Sequence, residues 1–401
     1  MGGASAKGQP RDIMSSVPKD FVMPTDGTID HTLTTGKVQS AGSEAPSPSA
    51  SKHAAPTDWR ESGRVPCLDG MRALAISLVI MSHFSGPLPI IWRLPEYLVD
   101  GHLGVVCFFV ISGFLITLLL LREHERHGSV SLKKFYVRRA LRILPAYVVY
   151  LSAIGVLQYA GFLHYSSLYW LAALTYTMCF TNRNAWSLGH TWSLSVEEHY
   201  YLIWPLVVKA FKPALAVRCV IFYLLVTPLI RVVLHRFTPR LDDIEFWSPT
   251  QMANIGAGCL LAFVVKGYAF QSAYDALRQK PYRALLIGIL ILLCSRAVYF
   301  VEYIRIPFGD PIDSAGFAMV IFGLLHLNER SVVSRLFNCR PAVWVGILSY
   351  SLYLWQQPFA DGRLTRSALR WQWNMLSILV AATMSYTLVE RPFLRLKTRF
   401  S

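Results

Sequence analysis

The sequence predicts an all-α, polytopic membrane protein of about ten transmembrane helices, and three observations carry that prediction. Of the 401 residues, 53 per cent are hydrophobic and only 16 per cent charged, against about 25 per cent charged in an ordinary soluble domain. Mean hydropathy is positive, at +0.38. Apolar stretches of the length that crosses a bilayer as a helix, roughly 17 to 25 residues, recur along the chain. Such a composition excludes a disordered chain, a collagen and a small disulfide scaffold. The seven cysteines never form a C-x-x-C pair, so neither a zinc site nor a disulfide framework is expected.

In chain order, residues 1–63 are rich in Ser, Ala, Pro, Gly and Thr and lack an apolar run even of signal-peptide length. They read as a disordered, uncleaved tail on the cytoplasmic side. The transmembrane domain occupies 64–401. Candidate spans fall near 68–90, 102–121, 142–163, 194–211, 214–234, 250–266, 284–303, 313–328, 341–360 and 373–390. A shorter run at 167–182 is ambiguous. With the chain stopping at Ser401, no soluble domain is expected after the last span.

Basic residues fix the orientation, because Lys and Arg in short loops stay on the cytoplasmic side. Seven lie between Arg122 and Arg142, and further clusters follow the fourth, sixth, eighth and tenth spans. The alternate loops hold fewer, among them Arg236 and Arg240, which Asp242, Asp243 and Glu245 largely match. One arrangement satisfies this bias: ten spans with both termini in the cytoplasm, in a plasma (inner) membrane, with 167–182 as a re-entrant or outer-leaflet segment. The formal charge of +15 then faces the cytoplasm, where anionic lipid and soluble anionic ligands are found, and no nucleic-acid partner is needed to explain it.

Ionisable residues inside spans are costly and mark candidate sites. The first span, LDGMRALAISLVIMSHF, carries Asp69 and Arg72 at its cytoplasmic end and His83 deep inside. Eleven positions separate Arg72 from His83, about 16 Å along a helix and close to three turns, so both lie on one face. Two readings compete for His83, a reactive imidazole in a bundle interior and a buried histidine satisfied by a neighbour. Arg72 either serves that site or snorkels to the interface, and Asp69 reads as a cap or as its i, i+3 partner. In FYVRRALRILPAY, Arg138, Arg139 and Arg142 crowd the start of the third span. Arg139 and Arg142 share a helix face and suit bidentate phosphate binding, although a plain positive-inside signal explains them as well. In GHTWSLSVEEHYYLIWPL, Glu197 and Glu198 enter a span together. They either complement the helix N-terminus or contact a polyol or a buried Arg.

These segments, in the order LDGMRALAISLVIMSH, GVVCFFVISGFLIT, FYVRRALRILPAY, WSLSVEEHYYLIWPL, LSYSLYLWQQPF and VERPF, resemble the membrane acyltransferase-3 family of O-acyltransferases. The resemblance extends from about 64 to 396 and implies a ten-helix bundle. It also implies transfer of an acyl group, often acetyl, from cytoplasmic acyl-CoA to a hydroxyl of a sugar, polysaccharide or other glycosylated acceptor, with no metal. Arg72 and His83 match the family's Arg-x10-His, Arg139 and Arg142 its Arg-x-x-Arg, and Glu197 with Glu198 its paired acids. On that reading Arg72, His83, Glu197 and Glu198 are catalytic, and Arg138, Arg139 and Arg142 hold acyl-CoA. Two positions depart from the family pattern: Val106 and Cys107 replace an expected Asp region, and Gln356 replaces a second membrane His. A transporter of a polar or anionic substrate is the competing class. The lack of an internal repeat or of matched Gly/Pro-interrupted spans counts against it.

Overall fold

The computed structural model describes residues 65, 67–83, 100–182, 184–238, 245–298, 300–360 and 370–397. The tail expected over 1–63, the end of the first span beyond His83 and the loop holding Arg363 and Arg366 lie outside these residues.

Every regular element among the described residues is helical: α1 (Leu68–His83), α2 (Gly101–His127), α3 (Leu132–Tyr159), α4 (Ser167–Leu174), α5 (Trp186–Gly189), α6 (Trp192–Ala210), α7 (Pro213–Phe237), α8 (Ser248–Val265), α9 (Gln271–Arg278), α10 (Pro281–Val298), α11 (Glu302–His326), α12 (Val332–Phe337), α13 (Arg340–Ala360), α14 (Arg370–Met384) and α15 (Arg391–Lys397). A 3-10 turn spans Met178–Phe180, and a π-helical stretch, Ser385–Glu390, joins α14 to α15. A helix thus occupies each of the ten apolar stretches. Six of them, α2, α3, α7, α8, α10 and α11, are long and apolar enough to cross a membrane. The run at 167–182 forms only the eight-residue α4 and the 3-10 turn, about 12 Å of helix at 1.5 Å per residue in the longer piece, too short to cross.

The outward faces are oily. On α7, Phe222, Leu225 and Leu229 are exposed, Leu225 to 74 per cent, and on α10 so are Leu286, Leu290 and Leu293. Spacings of three and four residues put each set on one stripe, the inverse of a soluble helix, as a lipid-facing surface requires.

Inside, small residues let backbones approach. Helix α2 crosses α8 where a side chain on Gly113 would strike the Ile255 carbonyl and one on Gly258 the Val110 carbonyl. Gly346 of α13 similarly abuts the backbone of Asp69, which seats α1 beside α13. Helix α2 starts on the Asp100 carboxylate, which accepts the His102 N–H at 2.8 Å, and ends on left-handed Gly128. Only three residues then separate Gly128 from α3. In that turn Glu123 accepts the Ser131 N–H at 2.8 Å and pairs with Arg138 at 2.8 Å, drawing the basic end of α2 onto the basic start of α3.

A buried ion network ties α2, α7, α8, α10 and α11 together. Asp310 accepts from Arg231 at 2.5 Å, from Gln251 at 2.7 Å and, across 2.8 Å, from His102. Asp313 accepts from Arg296 at 2.5 Å and from Ser295 at 2.5 Å, and Arg296 reaches Asp100 at 3.5 Å. Every carboxylate here has a cationic partner, as buried charge demands.

Candidate active site

A cavity of about 650 Å³ opens among α1, α2, α3, α6 and α13, and five arginines line it: Arg72, Arg122, Arg138, Arg139 and Arg142. The local folding accounts for their convergence. The Gly128 turn returns the chain so that Arg122 of α2 and Arg138 of α3 reach the same cavity, and the three-residue spacing of Arg139 and Arg142 places both on the same face of α3. Glu197, Ser193, Tyr201 and Tyr353 form part of the facing wall.

The charges in this cavity do not balance. Arg72 pairs with Asp69 at 2.9 Å and Arg138 with Glu123 at 2.8 Å. Arg139 lies 4.4 Å from the Tyr201 ring centroid and 5.8 Å from that of Phe135, a cation–π seat that leaves its charge in place. Arg142 has no hydrogen-bond or ion-pair partner among the described residues, and it feels the positive fields of Arg72 and Arg139. Glu197, facing the hydrogen-bonded Ser112 and Tyr201 hydroxyls, and the buried Glu390 supply the nearest counter-charge. Like charges a few ångströms apart in a poorly hydrated pocket repel by several kcal/mol, at roughly 4 kcal/mol for 4 Å and an effective dielectric of 20. An anion entering the cavity relieves that repulsion. Guanidinium groups set at different angles suit the oxygens of a phosphate or a carboxylate.

His83 ends α1 half-buried, its ring turned into the bundle. Nδ1 lies 2.7 Å from the Val79 carbonyl, which can only accept, so Nδ1 carries the proton and Nε2 the lone pair. Nε2 receives the Gln357 amide at 3.2 Å, and the Trp186 ring stands edge-on with centroids 5.8 Å apart. Trp186 is itself held by an Nε1–H bond of 2.7 Å to the Gln357 carbonyl. A neutral imidazole held in this way has the tautomer a general base needs, and it is gripped on two sides.

The structure brings Arg72, Arg138, Arg139, Arg142 and Glu197 to one cavity and leaves two expected residues off its wall. Glu198 turns toward Tyr176, because adjacent helical positions point about 100° apart. His83 lies one turn beyond the wall: Tyr353 lines the cavity, and Gln357, which touches His83, is four residues further along α13. On the wall itself the Ser193 and Tyr353 hydroxyls are bonded at 2.6 Å. The departures at Val106 and Cys107 are both fully buried in the apolar core of α1, α2, α8, α10 and α11, off the cavity wall. No group of three or more His, Cys, Asp or Glu among the described residues is arranged to hold a metal ion.

Sequence reasoning missed Arg122, counted only as an orienting charge, and Glu390, whose carboxylate accepts from Ser351 and offsets Arg142. Glu390 was visible as a lone acid within the final apolar stretch. Gln357 and His190 gave no such signal.

A family model described as an acyltransferase domain matches residues 65–389. The peptidoglycan O-acetyltransferase OatA of Listeria monocytogenes is 30% identical over 365 residues, covering 82% of this chain and 55% of the relative. The O-acetyltransferase OatA of Staphylococcus aureus is 28% identical over 363 residues, with 82% and 57% covered. The chain spans about half the length of the curated relatives it matches. No solved structure matches it.

Proposed function

The chain belongs to the acyltransferase-3 family, and from that membership we propose that it is an integral-membrane O-acyltransferase carrying acetyl groups from cytoplasmic acetyl-CoA to a hydroxyl of a carbohydrate. The name of the Listeria relative points to peptidoglycan as the acceptor class. The observation that carries the reading is the arginine-lined cavity with one guanidinium left unpaired, a receptacle for phosphate charge. The chain crosses the membrane ten times with that arginine-rich end in the cytoplasm, and both termini lie there too.

On this reading Arg139 and Arg142, with Arg138 beside them, grip the phosphates of acyl-CoA. Arg72 holds charge at the cavity mouth. The pantetheine arm runs along α1 over the ~16 Å that separates Arg72 from His83. It displaces the Ser193–Tyr353 hydroxyl pair and brings the thioester to Nε2. His83 takes the proton of the acceptor hydroxyl as its oxygen attacks the thioester carbonyl carbon; the C–S bond breaks, and the imidazolium returns the proton to the departing thiolate. Glu197 and Glu198 steady the arginines and the tyrosine hydroxyls around the donor. Enclosing the thioester limits its loss to water.

The test follows thiol release from acetyl-CoA by the purified protein with glycan fragments present, together with acetyl-ester formation on the glycan by mass spectrometry. Both signals are expected in equal amounts. Movement of substrate across a vesicle wall without thiol release would instead establish a transporter.

A further inference from the structure

One turn of α13 beyond the cavity wall, polar groups lie buried around His83 with few partners among the described residues. Gln357 is 6% exposed. Its amide nitrogen meets Nε2 of His83, and its amide oxygen has no partner in good hydrogen-bond geometry among the described residues. With the ring neutral and Nδ1–H given to Val79, Nε2 can only accept, which sets the amide nitrogen of Gln357 toward it. Beside Gln357 lies His190, 4% exposed, its ring close to the Gln357 amide, with neither ring nitrogen in good hydrogen-bond geometry to any of the described residues. His190 also adjoins the Leu354 carbonyl, which Pro358 deprives of its helical donor. Tyr150 and Tyr353 wall it in, each with ring centroids 5.5 Å away. Buried polar groups are bonded as a rule, and each exception calls for an explanation. Here the exceptions adjoin one another, with Gln357 standing between His83 and His190.

The geometry points to a two-position switch: Gln357 caps His83 Nε2 until an acceptor hydroxyl displaces it, and His190 receives the displaced amide. Both are positioning residues, and the assignment rests on the reading of His83 as general base. The cap has a chemical purpose. An open Nε2 beside a thioester activates any water: the water oxygen attacks the carbonyl carbon, the C–S bond breaks, the proton passes through Nε2 to the thiolate, and the products are acetate and free thiol. A carbohydrate hydroxyl arrives with the rest of its sugar bound, and that binding offsets the broken amide contact. A lone water brings no such compensation. The switch therefore favours transfer over hydrolysis.

The experiment uses the full chain in detergent or lipid discs and compares thiol release without acceptor with acetyl transfer to a glycan fragment. Gln357→Leu, close in volume and without an N–H, is expected to raise the ratio of hydrolysis to transfer at least tenfold. Gln357→Asn, whose shorter amide falls short of His83, should do the same. His190→Phe should raise the acceptor KM at least fivefold with acetyl-CoA KM unchanged, and His190→Gln should restore most of the loss. The thermal shift produced by CoA reports folding of each variant. An unchanged hydrolysis ratio in a CoA-binding Gln357 variant overturns the switch, as does loss of CoA binding in both, which would place Gln357 in the donor site. Absence of transfer by the wild-type chain faults the acyltransferase reading itself, so the two failures are distinct.

Discussion

Replacing Arg142 by Ala separates a binding cation from a structural one, because the two roles predict opposite signs. Arg142 has no hydrogen-bond or ion-pair partner among the described residues and lies in the field of Arg72 and Arg139, with Glu390 and Glu197 only a partial offset, so its removal breaks no hydrogen bond and lowers like-charge repulsion. Thermal stability without ligand should hold or rise. With a phosphate ligand the balance reverses: a charge-assisted hydrogen bond contributes about 1.5 to 3 kcal/mol, which at about 1.4 kcal/mol per decade is a loss of roughly 10- to 150-fold in affinity. Arg139→Ala should weaken binding as well, but it also removes a guanidinium seated on Tyr201 and should lower unliganded stability slightly. Titration calorimetry with CoA and with a CoA fragment lacking the 3′-phosphate reads the effect without turnover. Raising the salt concentration should weaken wild-type binding more steeply than that of Arg142→Ala. An Arg142→Ala protein that binds CoA within twofold of wild type, or that loses stability before any ligand is added, would refute the argument.

Other perturbations test separate parts of the account. His83→Asn should lower turnover by a factor of about 100 to 10,000, the usual contribution of general-base catalysis, with CoA affinity unchanged by calorimetry. Gly258→Leu forces a side chain into the α2 backbone at Val110 and should cost at least about 1 to 3 kcal/mol, read as a lower melting temperature in detergent. Arg231→Met takes from Asp310 its guanidinium and leaves it only His102 and Gln251, and should cost up to about 3 to 5 kcal/mol. The double variant Arg231→Met with Asp310→Leu should recover a measurable part of that loss, because no buried charge is then left without its partner.

Much of the architecture was legible because the bilayer makes strict demands. Each apolar stretch long enough to span became a helix, and the helical repeat correctly placed Arg139 and Arg142 on one face. The same repeat divided Glu197 from Glu198, a consequence of adjacency that family resemblance obscured. What the sequence left hidden depends on contacts between distant segments. Arg122 reads as an ordinary interface charge until the Gly128 turn folds α2 back on α3. Gln357 reads as an ordinary polar residue until α13 packs beside α1 at Gly346 and Asp69 and its amide meets His83. The mutual pairing of Asp310, Arg231 and His102 was equally unreadable, because it joins three helices with no fixed spacing between them.

The central claim is that His83 carries the proton for an acyl transfer fed from the arginine-lined cavity, and the most direct measurement is a paired time course. Wild-type and His83→Ala proteins, matched for amount and for CoA-induced thermal shift, are given acetyl-CoA and a glycan fragment while free thiol and glycan ester are counted together. Equal growth of both signals in the wild type and neither in the variant is the expected result. Glycan ester formed by His83→Ala at the wild-type rate would contradict the claim outright.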